Sequence, residues 1–168
     1  MWSQRYLIWK AQLDLRTCLF CKRLNGKIYE TGEPVMPEPP LHERCRCVIE
    51  YLQAFFAGTA TQNGIDGADW WLKHYGMLPH YYITKQEAES RGWKAYLGNL
   101  DSVAPGMMIV KGIYKNRSGH LPSAPGRTWY EADINYTERF RGLDRILFSN
   151  DGLIFVTYDH YVTFYEIV

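Results

Sequence analysis

The sequence predicts an α+β chain, with helices first and a twisted antiparallel β-sheet on which they pack, preceded by a small Cys/His-stapled N-terminal module. Three observations predict it. All four cysteines fall between residues 18 and 47, helical patterns follow at 66–92, and from about 107 onward the segments are short, aromatic and β-branched. Hydrophobic residues at 46% and charged residues at 22% fit a folded domain and exclude a disordered tail. No apolar run approaches the roughly 18 residues that span a bilayer.

The elements follow in chain order. Residues 1–57 form the Cys/His module, and its run Glu33-Pro34-Val35-Met36-Pro37-Glu38-Pro39-Pro40 cannot be helical. Gly58-Thr59-Ala60-Thr61-Gln62-Asn63 reads as a flexible joint, which places a linker at 58–63 and a second domain at 64–168. Asp66 is the expected N-cap of a helix over 66–75. Thr84-Lys85-Gln86-Glu87 has the form of a capping box, in which the Thr and Glu side chains satisfy each other's free amides; its helix ends near Gly92. The expected strands are Met108–Tyr114, Trp129–Tyr136, Arg145–Ser149, Leu153–Thr157 and Val162–Val168. Ser149-Asn150-Asp151-Gly152 is a hairpin turn between two of them.

Net charge is +1, split as +2 over residues 1–57 and −1 over 58–168. A polyanion site therefore has to be a local patch rather than a property of the whole chain. The first residues lack the apolar stretch of a secretory signal peptide, which points to synthesis in a bacterial cytoplasm and action in the cytoplasm of a producer or target cell.

Cys18-x2-Cys21 is followed by His42-x2-Cys45-x-Cys47. A Cys-x2-Cys turn places two sulfurs on one tetrahedral zinc, and four of these five residues would complete a structural site. Two disulfides or four reduced thiols are the alternatives. A short, proline-rich segment builds little core and usually needs such a staple.

In the second domain, period-two alternation puts Arg127, Trp129, Glu131, Asp133 and Asn135 on one strand face, with Ala132 and Ile134 opposite. A solvated strand face would look the same. Arg141, Arg145 and His160 follow on successive strands and turns of one meander, so they can converge with Glu131. A carboxylate base, a His acid and two arginines on a phosphate suffice for cleavage of RNA without a metal cofactor. A neighbouring carboxylate is expected to raise the His160 pKa and keep it an acid.

Two resemblances add to this reading. Trp9-Lys10-Ala11, Asp14-x-Arg16-Thr17-Cys18-x2-Cys21, Leu24-Asn25-Gly26-Lys27 and Pro39-Pro40-x-His42-x2-Cys45-Arg46-Cys47 resemble the C-terminal end of phage Mu F-like minor head proteins, over residues of about 9–50. That likeness implies a docking, packaging or delivery partner bound through residues 1–57. Tyr82-Ile83-Thr84-Lys85-x-Glu87-Ala88, Asn116-Arg117-x-Gly119-x-Leu121-Pro122, Gly126-Arg127-Thr128-Trp129-x-Glu131-Ala132-Asp133-Ile134-Asn135-Tyr136-Thr137, Asp144-Arg145-Ile146-Leu147 and Asp159-His160-Tyr161-x-Thr163-Phe164 resemble the barnase-family microbial ribonucleases, from about 64 to 167.

The second resemblance implies an endoribonuclease with the microbial ribonuclease fold, a toxin countered by a barstar-like acidic immunity protein. It implies Glu131 as general base, His160 as general acid, Arg141 and Arg145 on the phosphate and Lys85 as an active-site lysine. It also implies Asp133 as the buried acid that orients the arginines, and Arg127 with Asp151 as a structural ion pair. Asn116, Arg117 and Ser118 fall in its base-recognition loop, and Tyr161 beside the bound nucleotide. Ser118 stands where that family carries a Glu that accepts from guanine, and Gly112 where it carries an acid near the catalytic groups. The alternative, a phage-structural or RNA-binding protein on an inactive nuclease fold, would have lost catalytic groups, and each of them is present. A metal-dependent DNase would need an acidic cluster that residues 58–168 do not present.

Overall fold

The computed structural model describes residues 1–168, which divide into two compact units. One comprises Met1–Ala54 with Asn116–Gly126, the other Phe55–Lys115 with Arg127–Val168.

The first unit contains β1 (Trp2–Lys10), the helix α1 (Leu19–Leu24), β2 (Ile28–Glu30) and β3 (Val48–Phe55). β1 lies between β2 and β3 and is antiparallel to both. The sequence reading did not anticipate these strands. The alternation along β1 is broken by a register shift between Trp2 and Leu7. There the Ser3 hydroxyl accepts from the amides of Arg5 and Tyr6 at 3.0 and 2.9 Å. Trp9, Cys21, Tyr29 and Cys47 form the core of this unit. Segment 116–126 joins it through the Ile28 amide, which donates to the His120 carbonyl at 2.8 Å, and through Leu121, only 1% exposed.

The second unit contains α2 (Ala68–Tyr75), β4 (Tyr82–Thr84), α3 (Lys85–Ser90), α4 (Leu100–Val103), β5 (Met108–Tyr114), β6 (Trp129–Asp133), β7 (Arg145–Ser149), β8 (Ile154–Thr157) and β9 (Tyr165–Ile167). Its strands run in the order β9-β8-β7-β6-β5-β4. All pairings are antiparallel except β4 with β5, which corrects the expectation of a wholly antiparallel sheet. The reason is the connection: α3 and α4 lie between β4 and β5 in the chain, and a helical crossover returns the strand in the same direction. Ala68 and Leu72 of α2 share a core with Ile146, Ile154, Val156 and Ile167. Ala88 and Leu100 share another with Ile83, Trp93 and Ile109. The architecture is a mixed α+β fold with a large sheet and few helices. No helix is long and apolar enough to cross a membrane.

Local chemistry sets the helix starts. The capping box of α3 forms as read: Glu87 N donates to Thr84 Oγ1 at 3.1 Å, and Thr84 N to Glu87 Oε2 at 2.8 Å. The N-cap of α2 is Gly67 rather than Asp66, which instead ends a short 3₁₀ turn over Gly64–Asp66. Only glycine fits there, because a Cβ at 67 would lie 2.0 Å from Thr61 Oγ1 and 2.7 Å from Asp69 Oδ1. Asp69 is fully buried and gathers the segment read as a joint. Its carboxylate accepts from Gly58 N at 2.7 Å, Ala60 N at 3.0 Å and Thr61 Oγ1 at 3.0 Å. Residues 58–61 are thus tied to α2.

Asp69→Ala should remove three hydrogen bonds to a buried carboxylate and leave their donors unpaired. A loss of about 2–4 kcal/mol is expected in urea unfolding followed by tryptophan fluorescence.

Candidate active site

The site is built on β6. Glu131 and Asp133 project from one face of that strand, while Ala132 enters the core. That face is buried rather than solvated, with Glu131 7% and Asp133 1% exposed. A buried carboxylate needs partners. Asp133 finds them in Arg141, which donates from Nε at 2.5 Å and Nη2 at 2.7 Å in a bidentate pair. Arg145 adds an ion pair, its Nε 3.2 Å from Asp133 Oδ1. Arg145 Nη1 also donates to the carbonyls of Gly142 and Asp144, each at 2.7 Å. Asp133 pushes the Arg141 pKa further up, and the Arg141 guanidinium stands 6.0 Å from the Trp93 ring centre.

Glu131 is held on both oxygens. Lys111 Nζ lies 2.9 Å from Oε1, and the Tyr161 hydroxyl donates to Oε2. Sequence reasoning missed Lys111. The cause is a β-bulge: the β5–β6 register shifts between Val110 and Gly112, so simple alternation cannot place the residue between them. Gly112 has φ +85°, a left-handed conformation that favours glycine. The only available signal was the lysine itself within an otherwise apolar run.

His160 and Tyr161 occupy the turn between β8 and β9, both left-handed with φ of 58° and 72°. Asp159 fixes this turn. Its Oδ1 accepts from Thr157 Oγ1 at 3.0 Å, Val162 N at 3.2 Å and Thr163 N at 2.8 Å. Burial alone would raise the Asp159 carboxyl, but the bonds from Thr163 and Thr157 outweigh it and hold the pKa down. The His160 ring lies 4.6 Å from that of Tyr161, which stacks on Tyr114 at 5.3 Å. Burial pushes the Tyr161 hydroxyl up, as does its bond to Glu131. The His160 imidazole is held below its ordinary value, by partial burial first and then by the charges of Arg145 and Lys111. Glu131 opposes this without prevailing. The expected rise is therefore reversed, because burial, joined by the cations around the imidazole, outweighs the single carboxylate.

The structure thus brings Glu131, Asp133, Arg141, Arg145, His160 and Tyr161 together. Lys85 stands at the surface, its side chain 65% exposed, paired with Glu89 at 3.6 Å one helical turn away. Asn116, at φ +46°, closes its own loop: Nδ2 donates to Leu121 O at 2.8 Å, and Oδ1 accepts from Leu121 N at 3.1 Å. Arg117 and Ser118 are exposed, and Ser118 Oγ accepts from His120 N at 3.3 Å. Arg127 and Asp151 pair at 2.9 Å.

In the first unit the five Cys/His candidates cluster. Cys18, Cys21 and His42 bring their ligand atoms together, as do Cys21, Cys45 and Cys47. His42 Nε2 is 3.3 Å from Cys18 Sγ and 3.4 Å from Cys21 Sγ, and Cys21 and Cys45 are 3.9 Å apart. No disulfide links any of the four cysteines. His42 Nδ1 lies 2.8 Å from the Glu43 carbonyl, so Nδ1 carries the proton and Nε2 offers its lone pair to the cluster.

Comparison with known proteins falls on the second unit and the 116–126 segment. A family model described as ribonuclease matches residues 72–168. A ribonuclease of Heyndrickxia coagulans is 52% identical over 108 residues, covering 64% of this chain and 99% of that protein. Ribonucleases of Bacillus intermedius and Bacillus pumilus are each 52% identical over 108 residues, covering 64% of this chain and 67% of each relative.

Lys111→Met removes one of the charges that hold His160 down. The His160 imidazole should then titrate at higher pH by NMR, and an unchanged or lower value would contradict the electrostatic contact. Asp159, with its folded pKa depressed, stabilises the turn above the unfolded value of about 3.9, and that contribution is lost as pH falls through the folded value. Amide exchange at 157–163 should accordingly accelerate in acid before the rest of the sheet responds.

Proposed function

Because this chain belongs to the ribonuclease family and is an endoribonuclease, we propose that Glu131 is its general base and His160 its general acid in metal-independent cleavage of RNA. One observation carries the proposal: a carboxylate held by Lys111 and Tyr161 shares its surroundings with two arginines fixed on Asp133 and an imidazole that feels all of their charges. Glu131 takes the proton of the ribose 2′-OH as that oxygen attacks phosphorus in line. His160 gives its proton to the departing 5′-oxygen. Arg141 and Arg145 hold the charge that builds on the phosphoryl oxygens. A bound phosphate also offsets the cations that depress His160, which favours the protonated form the acid role needs. The products are a 2′,3′-cyclic phosphate end and a free 5′-hydroxyl.

Asn116, Arg117 and Ser118 form the base-recognition loop. Asn116 shapes it, while the exposed Arg117 and Ser118 meet the base. Tyr161 supports the nucleotide and orients Glu131. Lys85 serves as a more distant phosphate-attracting charge. The biological role is that of a toxin acting on cytoplasmic RNA. Its neutralising partner is a small barstar-like acidic immunity protein that sets carboxylates on Arg141, Arg145 and Lys111 where RNA phosphates would lie. Residues 1–57 form the attachment module for a phage-structure or delivery partner, which the exposed Leu15, Leu19 and Phe20 beside Cys18 and Cys21 support.

The cysteine cluster holds one structural zinc through four of Cys18, Cys21, His42, Cys45 and Cys47. A tetrahedral ion with zinc–sulfur bonds of about 2.3 Å sets its sulfurs about 3.8 Å apart. Cys21 and Cys45 are 3.9 Å apart, and His42 offers a free Nε2, so the donor set suits the ion.

Glu131→Gln and His160→Gln should each lower kcat by about 10²–10⁴-fold with the fold intact by circular dichroism. Wild-type cleavage should persist through brief EDTA exposure and leave cyclic phosphate ends, with DNA uncut. Full activity of either variant would overturn the assignment. Elemental analysis should find about one zinc per chain, and Cys18→Ser should release it.

A further inference from the structure

The 116–126 segment leaves β5 and returns to β6 in the second unit's sheet, yet it packs as part of the first unit. His120 makes the join. Its carbonyl accepts from the Ile28 amide at 2.8 Å, on the edge of β2 away from β1. Its ring Nε2 lies 2.9 Å from the Arg23 carbonyl. A carbonyl can only accept, so Nε2 carries the hydrogen. Arg23 belongs to the last turn of α1, where backbone carbonyls have no partner within the helix. The imidazole therefore caps a helix end that would otherwise be open. Leu121, the next residue, is 1% exposed and is gripped on both backbone groups by the Asn116 side chain.

The platform under His120 is itself fixed. α1 begins at Cys18, whose sulfur accepts from the Cys21 amide at 3.4 Å, and both residues belong to the cysteine cluster. Just beyond the helix, Asn25 Oδ1 accepts from Ala11 N at 2.9 Å. At the other end of the chain of contacts, the His120 amide donates to Ser118 Oγ at 3.3 Å. This occupies one lone pair of the hydroxyl exposed at the loop tip. Bonds thus run without a break from the cysteine-bearing helix to the side chain that faces a base.

We propose that His120 is a positioning residue for base selectivity, through which the N-terminal unit sets the conformation of the base-recognition loop. The inference rests on reading Asn116–Gly119 as that loop. The N-terminal unit then has a task in the reaction itself, besides any part in attachment: it fixes which atoms the loop presents, while Glu131 is held separately by Lys111 and Tyr161, the arginines by Asp133 and the β8–β9 turn by Asp159.

The experiment is steady-state cleavage of the four dinucleotides NpU by the full chain, comparing His120→Ala, His120→Gln and Ser118→Glu with wild type. For His120→Ala, the ratio of kcat/KM between the best and worst base should fall by about three- to tenfold, as loss of one neutral hydrogen bond implies. The fall should reside in KM rather than kcat, with the pH profile in place. His120→Gln, whose amide can still donate to the Arg23 carbonyl, should recover most of the ratio. Ser118→Glu should shift the base order and so tests the loop reading separately. If Ser118→Glu shifts the order while His120→Ala leaves the ratio unaltered, the positioning role is wrong. An equal loss on all four substrates in His120→Ala would also overturn it, since that marks a purely structural residue. If neither variant changes the ratio, the loop reading fails and this inference with it.

Discussion

Asp133 is the constraint on which the site depends. A carboxylate almost wholly removed from water is tolerable only if paired, and here one side chain meets two guanidinium groups. The arrangement works in both directions. The arginines cancel the cost of burying Asp133, and Asp133 fixes the arginines in one geometry before any substrate arrives. Because the anion is shared between two cations, the local balance remains positive, and a phosphate can still be attracted. Removing the carboxylate would leave two cations facing each other, and breaking buried pairs of this kind typically costs about 3–5 kcal/mol. Stability and the positive charge of the site therefore rest on the same group.

The rest of the site follows a similar logic of over-determined side chains. Glu131 is grasped on both oxygens, by an ammonium and by a phenol. His160 and Tyr161 sit in a backbone conformation that costs each of them energy, of the order of 1–3 kcal/mol per residue. The turn holds that shape because Asp159 collects two amides and a hydroxyl. Such pre-organisation places these side chains without relying on a ligand to assemble them.

Much of this was legible in the sequence, and the limits have physical causes. The capping box of α3 depends on four neighbouring residues and could be read directly. So could β5, the core of β6 and β7, where aromatic and β-branched residues alternate between turn signals. β1, β2 and β3 escaped, because the pattern of β1 is interrupted at Ser3 and β2 is only three residues long. Gly67 displaced Asp66 as N-cap because of Thr61 and Asp69, whose proximity is tertiary. Within the candidate site, residue type and order along the meander suffice to expect that Glu131, Arg141, Arg145 and His160 converge. They do not suffice for Lys111, since its place comes from a bulge. The His160 pKa is depressed rather than raised, because sequence order identifies one carboxylate neighbour but shows neither the burial of the imidazole nor the cations converging from β5 and β7. The seating of 116–126 against α1 and β2 involves partners about a hundred residues apart, and no local pattern announces it.

The bulge at Lys111 has an evolutionary consequence. The ladder between β5 and β6 pairs Val110 with Ala132, Gly112 with Glu131, Ile113 with Tyr130 and Tyr114 with Trp129, and Lys111 contributes nothing to that register. Its side chain can be exchanged without disturbing strand pairing, although Glu131 then keeps only the Tyr161 hydroxyl as its partner. The charge beside Glu131 is therefore an adjustable setting, separable from the register of the sheet. A substitution there can retune the working pH of the protein, or the degree of negative charge it demands of whatever occupies the site, while the sheet register is kept. Positions of this kind are where a lineage can change the charge of a site fastest, because strand pairing does not constrain them.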